Sequence, residues 1–233
     1  MRAVILAGGL GTRLRPYTTV IPKPLVPVGG RPVLEQIITS LHHHGVRRID
    51  LCVSHLGSLI RLYFTQAGVP EGLELDYRWE DEPLGTAGAL RIVPDLEGTF
   101  LVMNGDILTS LDYAALICHH ESVGAALTIA THSKTVDIDL GVIESSDGRV
   151  TGYMEKPTLN YDVSMGIYAY DARALDYLPA GPSQFPDLVL RLIDAGETVT
   201  TFTNDADWYD IGTLEEFERA SRDFELFPEK FEV

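Results

Sequence analysis

Only two of the 233 residues are cysteine, Cys52 and Cys118, and they have no neighbours at metal-ligand spacing. A disulfide framework and a zinc knuckle are both excluded as organising devices. No run of about 18 apolar residues occurs, so no membrane-spanning helix is expected. The N-terminus shows no secretory pattern, because its apolar stretch VILA runs at once into glycine. These absences point to a cytoplasmic protein. Lysine is also scarce, at four positions: Lys23, Lys134, Lys156 and Lys230. With 34 acidic residues against 18 Lys and Arg, the net charge of −16 excludes a nucleic-acid or anionic-membrane surface. One absence runs the other way. No Asp or Glu precedes Glu35, whereas Arg2, Arg13, Arg15, Lys23 and Arg31 all do. A local cationic loop in an acidic protein suits a small anionic ligand rather than an extended polyanion.

What is present reads as α/β. Apolar strands are expected at 2–7, 49–55, 73–80, 99–106 and 126–132. Helices alternate with them at 33–44, 57–67, 83–90 and 111–122. That order predicts a parallel, doubly wound sheet. From about 140 the texture changes. Two strands joined by Ser145-Ser146-Asp147-Gly148 are expected, then a strand at 163–170, helices at 172–178, 184–194 and 213–225, and strands near 198–203 and 207–211. Thr213 is the expected N-cap of the final helix. His42–His44 and His119–His120 are expected on solvated helix faces.

The segment 8–31 reads as a long loop, since Gly and Pro interrupt every periodicity. A strand entering AGGLGTRL leaves backbone N–H groups free beside permissive glycines, a geometry that cradles phosphate oxygens. Arg13 and Lys23 can add charge. A P-loop would need GxxxxGK[ST], which is missing. A dinucleotide fingerprint would need a third glycine, where GLGTRL has leucine, and an acid about 20 residues on.

LAGGLGTRLRPYTTVIPKPLVPVGGRP resembles the opening motif of the sugar-1-phosphate nucleotidylyltransferases, and the later spelling EDEPLGTAGA is closest to the mannose-1-phosphate guanylyltransferases among them. The resemblance implies a Rossmann-like, mixed but mostly parallel sheet flanked by helices, with an inserted sugar-binding subregion. It implies one domain over 1–233: a nucleotide-binding part over about 1–110, a sugar-binding part over about 111–205, and a metal motif with helices over about 206–233. It also implies Mg²⁺-dependent condensation of a nucleoside triphosphate with a sugar 1-phosphate. By resemblance Gly8, Gly9, Gly11, Thr12 and Arg13 hold the triphosphate, Leu6 and Ala7 are further nucleotide-binding residues, and Lys23 lies near the reacting phosphate. Asp106 in VMNGD and Asp210 in Trp208-Tyr209-Asp210-Ile211-Gly212 resemble the two metal-binding aspartates. Asn104, Gly141, Glu155 and Lys156 resemble the sugar-phosphate site, with Lys156 on the phosphate and Glu155 on sugar hydroxyls. Ser164 stands where many relatives have another residue.

WEDEPLGTAGAL resembles the base-reading loop, with Glu80, Glu82, Pro83, Gly85 and Thr86. Guanine offers two donors on one edge, and a carboxylate can accept both. GTP is therefore favoured over UTP or dTTP, whose acceptor–donor–acceptor edge suits an amide. Mannose 1-phosphate is the implied sugar, with heptose, octose and amino-sugar phosphates as rivals. Many mannose-1-phosphate enzymes continue into a β-helix; here DFELFPEKFEV is expected to close the chain without one, and a homo-oligomer stays open. A non-catalytic sugar-nucleotide sensor and a nicotinamide-dependent oxidoreductase are the competing functional classes.

Overall fold

The computed structural model describes residues 1–9 and 11–227. Leu10 of the glycine loop and the last six residues of the expected chain close lie outside the described residues.

Along the chain, β1 (Arg2–Leu6) leads into three single 3₁₀ turns and a small hairpin, β2 (Pro27–Val28) with β3 (Arg31–Pro32). Next come α1 (Val33–His43), β4 (Arg48–Val53), α2 (Gly57–Ala67), β5 (Glu74–Trp79), α3 (Gly85–Gly88), β6 (Thr99–Asn104) and β7 (Ile107–Thr109). The second half holds α4 (Tyr113–Val123), β8 (Leu127–Asp137), β9 (Val142–Ser146), β10 (Arg149–Met154), β11 (Thr158–Asp171), α5 (Phe185–Asp194), β12 (Val199–Thr203), β13 (Trp208–Asp210) and α6 (Leu214–Leu226). Seven strands form one sheet in the order β12-β8-β11-β6-β1-β4-β5. Every neighbouring pair is parallel except those of β11, which runs antiparallel to both β6 and β8.

Alternation along the strands sends apolar side chains to both faces, as a buried parallel sheet requires. Ala3, Ile5, Leu51 and Met103 pack on one face with Leu34 and Ile37 of α1 and Leu116 of α4. Val4, Cys52, Phe100 and Val102 pack on the other with Leu188 and Leu192 of α5. The doubly wound expectation therefore holds, with the insertion of β11 as its one reversal. Among the described residues no helix is long and apolar enough to cross a membrane.

Three local expectations need correction. β8 and β11 run well past 132 and start well before 163, because 132–137 pairs with 158–163 beyond the end of β6. This two-stranded arm projects about 20 Å at 3.3 Å per residue. Its residues are mostly exposed, so no apolar alternation marks it. The segment 172–178 winds as a 3₁₀ helix over Ala172–Tyr177 rather than an α-helix. The Ser-Ser-Asp-Gly turn forms as expected, with Asp147 and Gly148 both at positive φ, and Thr213 Oγ1 caps α6 by accepting from Glu216 N at 3.3 Å.

His120 is the third correction: it is 2% exposed, and its Nδ1 lies 2.8 Å from Thr128 Oγ1. Burial lowers its pKa, partly offset by the charge of Asp171. The unfolded imidazole titrates near 6.5. Below about that pH the unfolded chain takes up a proton that the native chain refuses, so stability falls until the native pKa is passed. In urea unfolding, the stability advantage of wild type over His120→Gln should therefore shrink from pH about 7.5 to about 5. An advantage independent of pH would contradict a buried neutral His120.

Candidate active site

The carboxyl ends of β1, β4 and β6 meet at one edge of the sheet, where open α/β sheets leave a crevice. Backbone bonds fasten the three exits together: Ala7 N donates to Cys52 O at 2.8 Å and Gly105 N to Leu6 O at 2.9 Å. Ser54 Oγ donates to Gly8 O at 2.5 Å. Between them opens a cavity of about 310 Å³. Its walls include Leu6, Ala7, Gly8 and Gly9 from the glycine loop, Glu80, Pro83, Gly85 and Thr86 from the loop after β5, and Lys23, Asn104 and Asp106. Eleven of the sequence-predicted site residues thus line one cavity.

The glycine loop turns at Gly11, whose φ of 60° is left-handed and whose Cβ would meet the Thr18 side chain at 3.0 Å. Thr18 Oγ1 in turn donates to Gly11 O at 2.6 Å, pinning the turn. Thr12 and Arg13 follow in a 3₁₀ turn. Neither lines the cavity, but Arg13 Nη2 lies 3.1 Å from the position a Cβ on Gly212 would take. That same position is 2.8 Å from Asp210 Oδ1, so Arg13 and Asp210 flank Gly212 together.

A short antiparallel pair brings the two aspartates into register. Asp210 of β13 pairs with Ile107 of β7, and Ile211 N donates to Asp106 O at 3.0 Å. Lys23 reaches both carboxylates: its Nζ pairs with Asp106 Oδ2 and sits 4.0 Å from Asp210 Oδ1. Asp106 Oδ1 is buried and has no hydrogen-bond partner among the described residues. Burial raises the pKa of Asp210, and the charge of Asp106 raises it further, against the lowering by Lys23 and Arg13. No group of three or more His, Cys, Asp or Glu converges among the described residues, so a cation here would have two protein carboxylates, a number that fits a hard divalent ion completed by water and phosphate oxygens.

The remaining predicted residues are elsewhere. Glu82 is exposed and outside the cavity wall, whereas Glu80 is inside it, with Oε2 accepting from Leu84 N at 3.0 Å. Gly141, Glu155 and Lys156 sit around the exposed arm. Glu155 Oε2 accepts from Tyr153 Oη at 2.8 Å, and Lys156 pairs with Asp139 at 2.8 Å. A Cβ on Gly141 would strike Tyr153 Oη at 2.0 Å, so these residues form one cluster at the arm, separate from the cavity wall. Ser54 and Gln184 also line the cavity and escaped the sequence reading. Ser54 follows the apolar strand of β4, and the carboxyl-end rule could have found it. Gln184 carries no sequence signal of its own.

The mixed, mostly parallel seven-stranded sheet flanked by helices is the nucleotide-diphospho-sugar transferase fold, shared with solved nucleotidyltransferase structures. Residues 2–225 match the nucleotidyl transferase family, and the chain belongs to it. A UTP–glucose-1-phosphate uridylyltransferase of Synechocystis is 35% identical over 95% of this chain and 63% of its own length. A mannose-1-phosphate guanylyltransferase of Mycobacterium tuberculosis is 31% identical over 95% of this chain and 64% of its own. The chain thus spans under two thirds of the length of these curated relatives. HddC from Yersinia pseudotuberculosis superposes with a TM-score of 0.76 at 30% identity, covering 96% of this chain and 99% of that one. A second HddC structure, complexed with GMP-PN, superposes with a TM-score of 0.73.

Proposed function

We propose that the protein transfers a nucleotidyl group from a nucleoside triphosphate, GTP by preference, to a sugar 1-phosphate, releasing pyrophosphate. The observation that carries this reading is the convergence of Lys23, Asp106 and Asp210 beside the glycine loop, with one Asp106 oxygen buried and unpartnered. Backbone N–H groups of the loop cradle the β- and γ-phosphates, and Arg13 and Lys23 offset their charge. Asp106 and Asp210 would hold Mg²⁺, which would supply charge neutralisation on the phosphates. A phosphate oxygen of the sugar 1-phosphate attacks the α-phosphorus in line. The bond from that phosphorus to the bridging oxygen breaks, and the electron pair leaves with pyrophosphate. No covalent nucleophile is required, so catalysis rests on positioning and charge.

The arm cluster of Glu155 and Lys156 supplies the sugar-phosphate contacts in this account. Lys156 then exchanges its exposed Asp139 partner for the sugar's phosphate, and Glu155 accepts from sugar hydroxyls. Glu80, rather than Glu82, is the carboxylate in position to read a base. A guanylyltransferase among the relatives and the GMP-PN complex of HddC support GTP; a uridylyltransferase among the relatives supports UTP as the second reading.

The test is pyrophosphate release with Mg²⁺ across GTP, UTP, dTTP, CTP and ATP, each against mannose, glucose, N-acetylglucosamine and heptose 1-phosphates. The expected result is a dominant GTP row, with mannose 1-phosphate or a related sugar as its best column. A dominant UTP or dTTP row would overturn the base assignment and leave the reaction class standing. Nucleotide binding without release for any sugar would favour a sensor.

A further inference from the structure

The loop after β5 and the start of α5 form one wall of the cavity, and they are locked together. Ser183 N donates to Leu84 O at 2.8 Å, while Ala87 N and Gly88 N donate back to Ser183 O at 3.0 and 3.1 Å. Gly85, at φ +79°, makes this approach possible, since a Cβ there would lie 2.4 Å from Ser183 O and 2.9 Å from Gln184 Nε2. The Gln184 amide therefore lies directly over Gly85, inside the cavity wall.

Its orientation follows from a short chain of hydrogen bonds. Phe185 N donates to Thr86 Oγ1 at 2.8 Å, and Thr86 Oγ1 donates its hydrogen to Gln184 Oε1 at 3.3 Å. The amide oxygen is engaged, and the –NH₂ group, which can only donate, is left to the cavity. The backbone N–H of Gln184 donates to Asp187 Oδ2 at 2.9 Å, half of a capping box at the start of α5 in which the Gln184 side chain accepts from the Asp187 backbone, a second hold on the amide oxygen rather than on the –NH₂. Glu80 is fastened on the other side of Gly85, through Leu84 N. The wall thus presents one donor-only amide and one acceptor-only carboxylate, each tied to a residue flanking Gly85.

We infer that Gln184 is a specificity-determining residue that donates to a keto oxygen of the base while Glu80 accepts from the adjacent ring N–H. This inference rests on the reading of the cavity as the nucleotide site. In guanine the pair is O6 with N1–H, and the remaining lone pair of Glu80 Oε2, beside its bond from Leu84 N, accepts from the 2-amino group. In uracil and thymine the same pair is O4 with N3–H. Adenine and cytosine present an amino group and a bare ring nitrogen, which would face a donor and an acceptor of the wrong sense. A site built to pair such groups rejects the mismatched base strongly, because its own polar groups are left unpaired.

The test is calorimetric binding of GTP, ITP, ATP, UTP and CTP with Mg²⁺, without sugar, to wild type, Gln184→Leu and Gln184→Glu. Thermal melting of each variant checks the fold. Wild type should bind keto bases over amino bases. Gln184→Leu should cut that ratio about tenfold or more, with ITP losing as much affinity as GTP because both carry O6. Gln184→Glu should cut it further, by placing an acceptor against the keto oxygen. A uniform loss across all five nucleotides would mean a merely structural role and would overturn the inference. So would an unchanged ratio in both variants. A wild-type preference for UTP would sink the guanine reading alone, and the UTP-to-CTP ratio would then decide on Gln184. Failure of wild type to bind any of the five would overturn both.

Discussion

Asp106→Asn should lower turnover by at least about 10³-fold, equivalent to roughly 4 kcal/mol of lost transition-state stabilisation. The substitution conserves shape and removes one charge at the point where Lys23, Asp210 and the orphaned Oδ1 meet. Asp106 lies in the turn between β6 and β7 and contributes its backbone carbonyl to Ile211 N, a bond that asparagine retains. The fold should therefore survive, and circular dichroism should be unchanged. The loss belongs to kcat rather than to the KM for sugar phosphate, because the carboxylate works on phosphates already bound. Activity within about tenfold of wild type, in folded protein, would remove Asp106 from the metal site.

Lys23→Met should produce an effect of comparable size with a second, opposite signature. The Lys23 ammonium lies against both carboxylates. It is a resident cation competing with any metal for the same two oxygens. Two unit charges about 4 Å apart interact by up to about 4 kcal/mol at an effective dielectric of 20. Removing the lysine should therefore tighten Mn²⁺ binding to the nucleotide-free chain by about tenfold or more, since tenfold needs only about 1.4 kcal/mol. The same substitution should lower kcat/KM by about 10²- to 10³-fold, because a charge aimed at the reacting phosphate is lost. Electron paramagnetic resonance of Mn²⁺ titrated without nucleotide reads the first effect, and pyrophosphate release reads the second. Weaker or unchanged Mn²⁺ binding in Lys23→Met would show that the lysine supports the carboxylates rather than competing for them.

Much of this arrangement was legible in the sequence, for identifiable reasons. The glycine loop declares itself because glycines and cations cluster where acids are missing, and that pattern is local. Asp106 declares itself by ending an apolar run, since a carboxyl-end acid on a parallel strand faces the crevice. The doubly wound sheet follows from strands buried on both faces, as at Ile5 and Met103 on one and Val4 and Val102 on the other. The projecting arm of β8 and β11 was not legible, because a ribbon solvated on both sides needs no apolar alternation. His120 was misread for the converse reason: it is a polar residue on the buried side of α4, and its partner, Thr128, lies on another element. Gln184 was invisible because its placement depends on the contact of Gly85 with Ser183, 98 residues away, and no local pattern encodes such a contact. The different placement of Glu80 and Glu82 was likewise not legible: two acids two positions apart look equivalent until the fold sets Glu80 on the cavity wall and Glu82 outside it.

Displacement at the α-phosphorus by a sugar 1-phosphate is read by isotope transfer. GTP labelled at the α-phosphorus and GTP labelled at the γ-phosphorus are each incubated with mannose 1-phosphate and Mg²⁺. The α label should appear in a nucleotide sugar and the γ label in pyrophosphate, in equal amounts, and EDTA should abolish both. If the γ label leaves as orthophosphate, or the α label as free nucleoside monophosphate whether or not sugar phosphate is present, the chemistry is hydrolysis and not nucleotidyl transfer.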